Sequence, residues 1–117
     1  RRSQPAKFLI GCLVLFDRRL PEKIGLFDEK LALGADDFDL ALRIREKGYQ
    51  LRIACDLLIE HAVHASFKRS DPAVNEKLAA ASWAYFREKW ATYLQKYGWE
   101  RLFEDEAPVF PGEEAFN

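Results

Sequence analysis

The chain has 117 residues, 18 basic against 19 acidic, with 49% apolar and 32% charged content, two Cys, three Trp and no Met. That length suits one domain with one core and leaves no room for separate cofactor and substrate domains. A net charge of −1 argues against an electrostatic grip on nucleic acid or anionic lipid, and the apolar fraction argues against disordered and fibrous classes. The opening Arg1-Arg2-Ser3, with no Met, leads us to expect a processed chain or a piece of a longer one.

The first apolar run, Phe8-Leu9-Ile10-Gly11-Cys12-Leu13-Val14-Leu15-Phe16, is far shorter than the roughly 20 residues a membrane span requires. It has the length and continuity of a strand covered on both faces, as in the middle of an α/β sheet. Asp17 then caps a short turn or helix, with Pro21 early in a segment running to Ile24. A loop follows to Gly34. Asp36 opens the next helix, with Asp37 and Asp39 in its first turn, where carboxylates face the positive end of the helix dipole. Phe38, Ala41, Leu42 and Arg45 repeat at helical spacing, and Lys47 with Gly48 ends the helix. Residues 49–53 alternate apolar and polar as a strand with one wet face, and Leu57-Leu58-Ile59 reads as a second short strand ending at Glu60-His61.

Asp71-Pro72 starts a long helix expected to reach about Tyr97, with Gly98 as its stop. Its stripe of Trp83, Phe86, Trp90, Tyr93, Leu94 and Tyr97 has the spacing of a core-facing side. Residues 1–103 form the expected domain, and the acidic, Pro-containing tail 104–117 is expected to be extended. Cys12 and Cys55 sit in apolar, strand-like stretches and are expected to be buried thiols of a reducing cytosol, with a single disulfide as the other option. No close Cys pair marks a zinc site.

Two groups of residues could carry chemistry. In Asp36-Asp37-Phe38-Asp39 the ordinary reading is capping, with Asp39 pairing to Arg43 one turn on. Adjacent helical residues point in different directions, so Asp36 and Asp39 can cap while Asp37 projects elsewhere. A carboxylate at a helix N-terminus is favoured in its ionised form and can accept a proton. His61 and His64 are too few to name a metal by themselves, since strong sites need three or four ligands.

Residues 11–67 resemble the C-terminal half of the catalytic domain of family 2 inverting glycosyltransferases, which have the GT-A fold. The likeness rests on Lys23-Ile24-Gly25-Leu26-Phe27-Asp28-Glu29, Gly34-Ala35-Asp36-Asp37-Phe38-Asp39-Leu40, Arg43-Ile44-Arg45, Gly48-Tyr49, and Ile59-Glu60-His61 with Ser66, in order and with matching gaps. Phe86-Arg87-Glu88-Lys89-Trp90 is similar to a later stretch of these enzymes. The family's acid pair falls on Asp36-Asp37, although its first position, usually Glu, is Asp here.

The resemblance implies an α/β, partial GT-A (Rossmann-like) domain: a few strands against two main helices, plus a long C-terminal helix. It implies transfer of a sugar from a nucleotide-sugar donor to a saccharide or other hydroxyl acceptor. Asp37 would be the general base, Asp36 and Asp39 would bind substrate, and His61, with His64 in reserve, would contribute to a Mg²⁺ or Mn²⁺ site. The family's nucleotide-binding half and its Asp-x-Asp metal motif have no counterpart in this sequence, so the chain is expected to be inactive alone. A cytoplasmic location is expected, with any membrane association supplied by other segments, and an open sheet edge could support a homodimer. The alternative is a non-catalytic binding or assembly module that keeps the fold.

Overall fold

A single buried helix organises the chain. The computed structural model describes residues 3–62 and 71–98. In chain order these form strand β1 (Ser3–Ala6), helix α1 (Leu20–Ile24), helix α2 (Asp36–Glu46), strand β2 (Leu51–Ala54), helix α3 (Pro72–Lys89) and helix α4 (Ala91–Tyr97). The architecture is mixed α and β, with a two-stranded antiparallel sheet among the described residues. Ser3 pairs with Ala54 and Ala6 with Leu51, and Pro5, which cannot donate to a ladder, is tolerated in so small a sheet.

Helix α2 buries Asp39, Leu40, Ala41, Leu42, Ile44 and Arg45, so apolar surface covers it on two sides. On one side Leu42 packs with Leu31, Ala35, Phe86, Trp90 and Tyr93. On the other, Leu40, Ala41 and Ile44 pack with Leu51 of β2. The helix ends as expected at Gly48, whose φ of 84° is open to glycine. The Gly48 N–H donates to the Arg45 carbonyl (2.9 Å) and the Tyr49 N–H to the Ile44 carbonyl (3.2 Å), the paired bonds of a Schellman stop. The other end differs from expectation. Asp36 is the first helical residue rather than the cap, and the cap position is Ala35, in the left-handed region at φ 63° with no side-chain hydrogen bond.

Asp71 caps α3 as expected, its carboxylate accepting from the Ala73 N–H at 2.9 Å, with Pro72 in the first turn. The expected single helix to Tyr97 is broken at Trp90, where φ is −103° and ψ 21°. The aromatic stripe is core, as its spacing implied: Phe86, Trp90 and Tyr93 are buried, and Trp83, Leu94 and Tyr97 pack against them.

Three expectations are corrected. Residues 8–16 form no strand, and Ile10, Leu13 and Leu15 are 77%, 65% and 98% exposed. Apolar character makes a strand only together with backbone pairing, and among the described residues β2 pairs with β1 and not with this stretch. Leu57, Leu58 and Ile59 likewise lie outside any strand and are exposed. Cys12 and Cys55, in these same stretches, are free and exposed rather than buried. The tail 104–117 lies outside the described residues, and no described helix is long and apolar enough to cross a membrane.

Candidate functional site

The site is built around the start of α2. Asp39 is wholly buried, and a buried carboxylate persists only if it is paired and hydrogen-bonded. One oxygen, Oδ2, accepts from Arg43 Nε at 2.9 Å, the pair one turn apart that the sequence implied. The other, Oδ1, accepts from the Trp90 indole Nε1–H at 2.8 Å and lies 2.9 Å from Lys89 Nζ. The break between α3 and α4 falls at the residue that delivers this indole N–H.

Arg43 also reaches back along the chain. Its Nη1 donates to the Ile24 carbonyl at 2.7 Å and its Nη2 to the Leu26 carbonyl, which fastens the turn after α1 to α2. In that turn Asp28 Oδ2 accepts from Lys89 Nζ and from the Tyr85 hydroxyl, each at 2.8 Å, while Oδ1 accepts from the Lys30 N–H at 3.0 Å. The Lys89 hydrogen bond, with that of Tyr85, holds the Asp28 carboxyl well below the usual carboxylate range. Burial pulls the Lys89 ammonium down, but its bonds to Asp28 and Asp39 outweigh this and leave it raised. The bond to Asp28 likewise raises Tyr85.

Asp36 and Asp37 stand at the edge of this network and are half-buried. Asp37 Oδ1 accepts from the Phe38 N–H at 3.0 Å, and Oδ2 accepts from the Gly11 N–H at 3.3 Å, which ties the loop of residues 8–16 to the helix start. Gly34, immediately ahead, has φ 89°, and a Cβ there would come within 3.2 Å of Trp83 Nε1. Two successive left-handed residues, the second not a glycine, thus set the acidic pair, a form of local strain found often at functional sites.

The structure therefore joins Asp39 to Arg43, leaves Asp36 and Asp37 accessible, and sets His61 apart as an exposed residue of the segment after β2. His64 lies outside the described residues. Among the described residues no group of three or more His, Cys, Asp and Glu is placed to hold a metal ion. A substrate contact by Asp39 would have to displace Arg43, Lys89 or Trp90. Sequence reasoning assigned no role to Asp28, Lys89 or Trp90. Their signal in the sequence is their place in the stretches that carry the resemblance, with Trp90 also in the core-facing stripe. Comparison with family models, with curated proteins and with solved structures finds no match to this chain.

Proposed function

We propose that the chain is the acceptor-side part of an inverting, metal-dependent glycosyltransferase, which moves a sugar from a nucleotide-sugar donor to a saccharide or other hydroxyl acceptor. The observation that carries the reading is the meeting of residues far apart in sequence: Asp28, Asp39, Arg43, Lys89 and Trp90 form one bonded network behind a half-exposed Asp36-Asp37. These residues lie in the stretches on which the resemblance rests. The network fixes the helix start, and such fixing is what a positioned base requires.

In this reading the acceptor O–H gives its proton to the Asp37 carboxylate as its oxygen attacks the anomeric carbon from the face opposite the donor diphosphate. The bond from the anomeric carbon to the diphosphate oxygen breaks, and the nucleoside diphosphate leaves with that electron pair. Asp36 contacts the acceptor, and Asp39 serves through its hold on Arg43. A Mg²⁺ or Mn²⁺ ion would supply the charge that offsets the leaving diphosphate. The described residues do not assemble its site, and His61 is this chain's described candidate for a contribution to it. A nucleotide-binding half would complete the active site.

A second reading, a non-catalytic module of the same fold, is favoured by Asp36 standing where a glutamate is usual. The complete natural protein, given a panel of nucleotide sugars with Mg²⁺ or Mn²⁺, separates the two. Acceptor-dependent release of nucleoside diphosphate supports the enzyme, and its absence across the panel supports the module.

A further inference from the structure

Away from the acidic helix start, the second core cluster is open on one side. A cleft of about 470 Å³ lies among the loop of residues 9–17, α1, the end of α2 and β2, within the usual small-molecule range of roughly 300–1,000 Å³. Its floor is that cluster's buried Ile44 and Leu51 with half-buried Leu9 and Leu20, and half-buried Val14 also lines it. Its mouth carries Leu15 and Phe16, which are 98% and 38% exposed and would lose water contact under a bound apolar group.

The polar lining is one-sided. Arg19, Lys23 and Arg52 face the cleft against a single carboxylate, Asp17. Asp17 is committed to Arg19, with Nε and Nη2 at 2.9 and 2.7 Å, and this bond holds its carboxyl well below the usual range. Arg52 is steadied by Ser3, its Nε on the hydroxyl at 2.7 Å and its Nη2 on the carbonyl at 2.9 Å. Lys23 Nζ lies 5.6 Å from the centre of the Tyr49 ring, on the cleft wall, and has no ion pair among the described residues. Lys23 is therefore the cation best able to meet an incoming anion.

We propose that this cleft binds a small amphiphilic anion, a medium-chain carboxylate, with its alkyl chain on the Leu9–Ile44–Leu51 floor and its head group at Lys23 and Arg52. The inference stands apart from the glycosyl-transfer reading and survives or falls without it. An apolar floor alone would accept any hydrophobe, and the basic rim alone any anion. The two together require both properties in one molecule.

The test is calorimetric titration of the full chain with decanoate, with acetate as the anion lacking a chain and decyl maltoside as the chain lacking a charge. Saturable binding of one decanoate, at least about tenfold tighter than either control, is expected. Lys23→Glu should weaken it about tenfold and Leu15→Ser severalfold, with the far-ultraviolet dichroism of both variants unchanged. Should Lys23→Glu fail to fold, Arg52→Glu carries the same expectation. Decanoate binding no tighter than the controls, or unchanged in a folded charge-reversal variant, overturns the proposal. Binding to anionic vesicles without binding of monomeric decanoate also overturns it, in favour of a membrane surface.

Discussion

Asp39 and Asp28 are two carboxylates with different duties. Asp39, fully buried, neutralises Arg43 and shares Lys89 with Asp28, so Asp39→Ala should cost about 3–5 kcal/mol in chemical denaturation, because it leaves the Arg43 guanidinium without its carboxylate and the Trp90 indole N–H without its acceptor. Asp28 is 19% exposed in its side chain and ties the turn after α1 to α3. Its carboxyl is depressed in the folded state, so its contribution is present above the unfolded value of about 3.9 and is lost as pH falls toward the folded value. Asp28→Asn should therefore lower stability by about 1–2 kcal/mol at pH 7, and the gap from wild type should close progressively below about pH 4. A gap that stayed constant to pH 2 would contradict the assignment. The raised Lys89 works at the other end: its contribution is present below about pH 10.4 and is lost as pH rises through its folded value.

At the scale of elements, local signals were legible and long-range ones were not. The stop of α2 at Gly48, the cap of α3 at Asp71 and the helical pair Asp39–Arg43 all involve residues within five positions of one another, where sequence spacing fixes geometry. Gly48→Ala tests the first: nothing lies within 4 Å of a Cβ there, so the cost should come from backbone strain alone, about 1 kcal/mol in thermal or chemical unfolding. A neutral result would deny that the left-handed stop matters. The break at Trp90 was not legible, because helix propensity and stripe spacing run on through it. It coincides with a hydrogen bond to a residue on another helix, which no local pattern encodes.

Across the whole molecule, the stretches that sequence alone misassigned are the apolar ones. Residues 8–16 and 57–59 have strand composition, yet neither stretch pairs with β1 or β2 in the described sheet, and without such pairing composition alone makes no strand. One visible consequence is that Cys12 and Cys55 are exposed, so both should react promptly with a thiol reagent such as 5,5′-dithiobis(2-nitrobenzoate) in the native chain. Protection of either until denaturant is added would contradict this placement. The candidate site was legible in its parts, since the acidic helix start, the Arg43 turn and the Lys89-Trp90 pair all stand out in the sequence. Their union, across about half the length of the chain, required the fold.

The central claim rests on Asp37, half-buried at the start of α2, where its carboxylate accepts from the Phe38 and Gly11 N–H groups. In the complete natural protein, acceptor-dependent release of nucleoside diphosphate should fall by about 10²–10⁴-fold on Asp37→Asn, with the folded far-ultraviolet dichroism retained. Turnover of Asp37→Asn within twofold of wild type would contradict it.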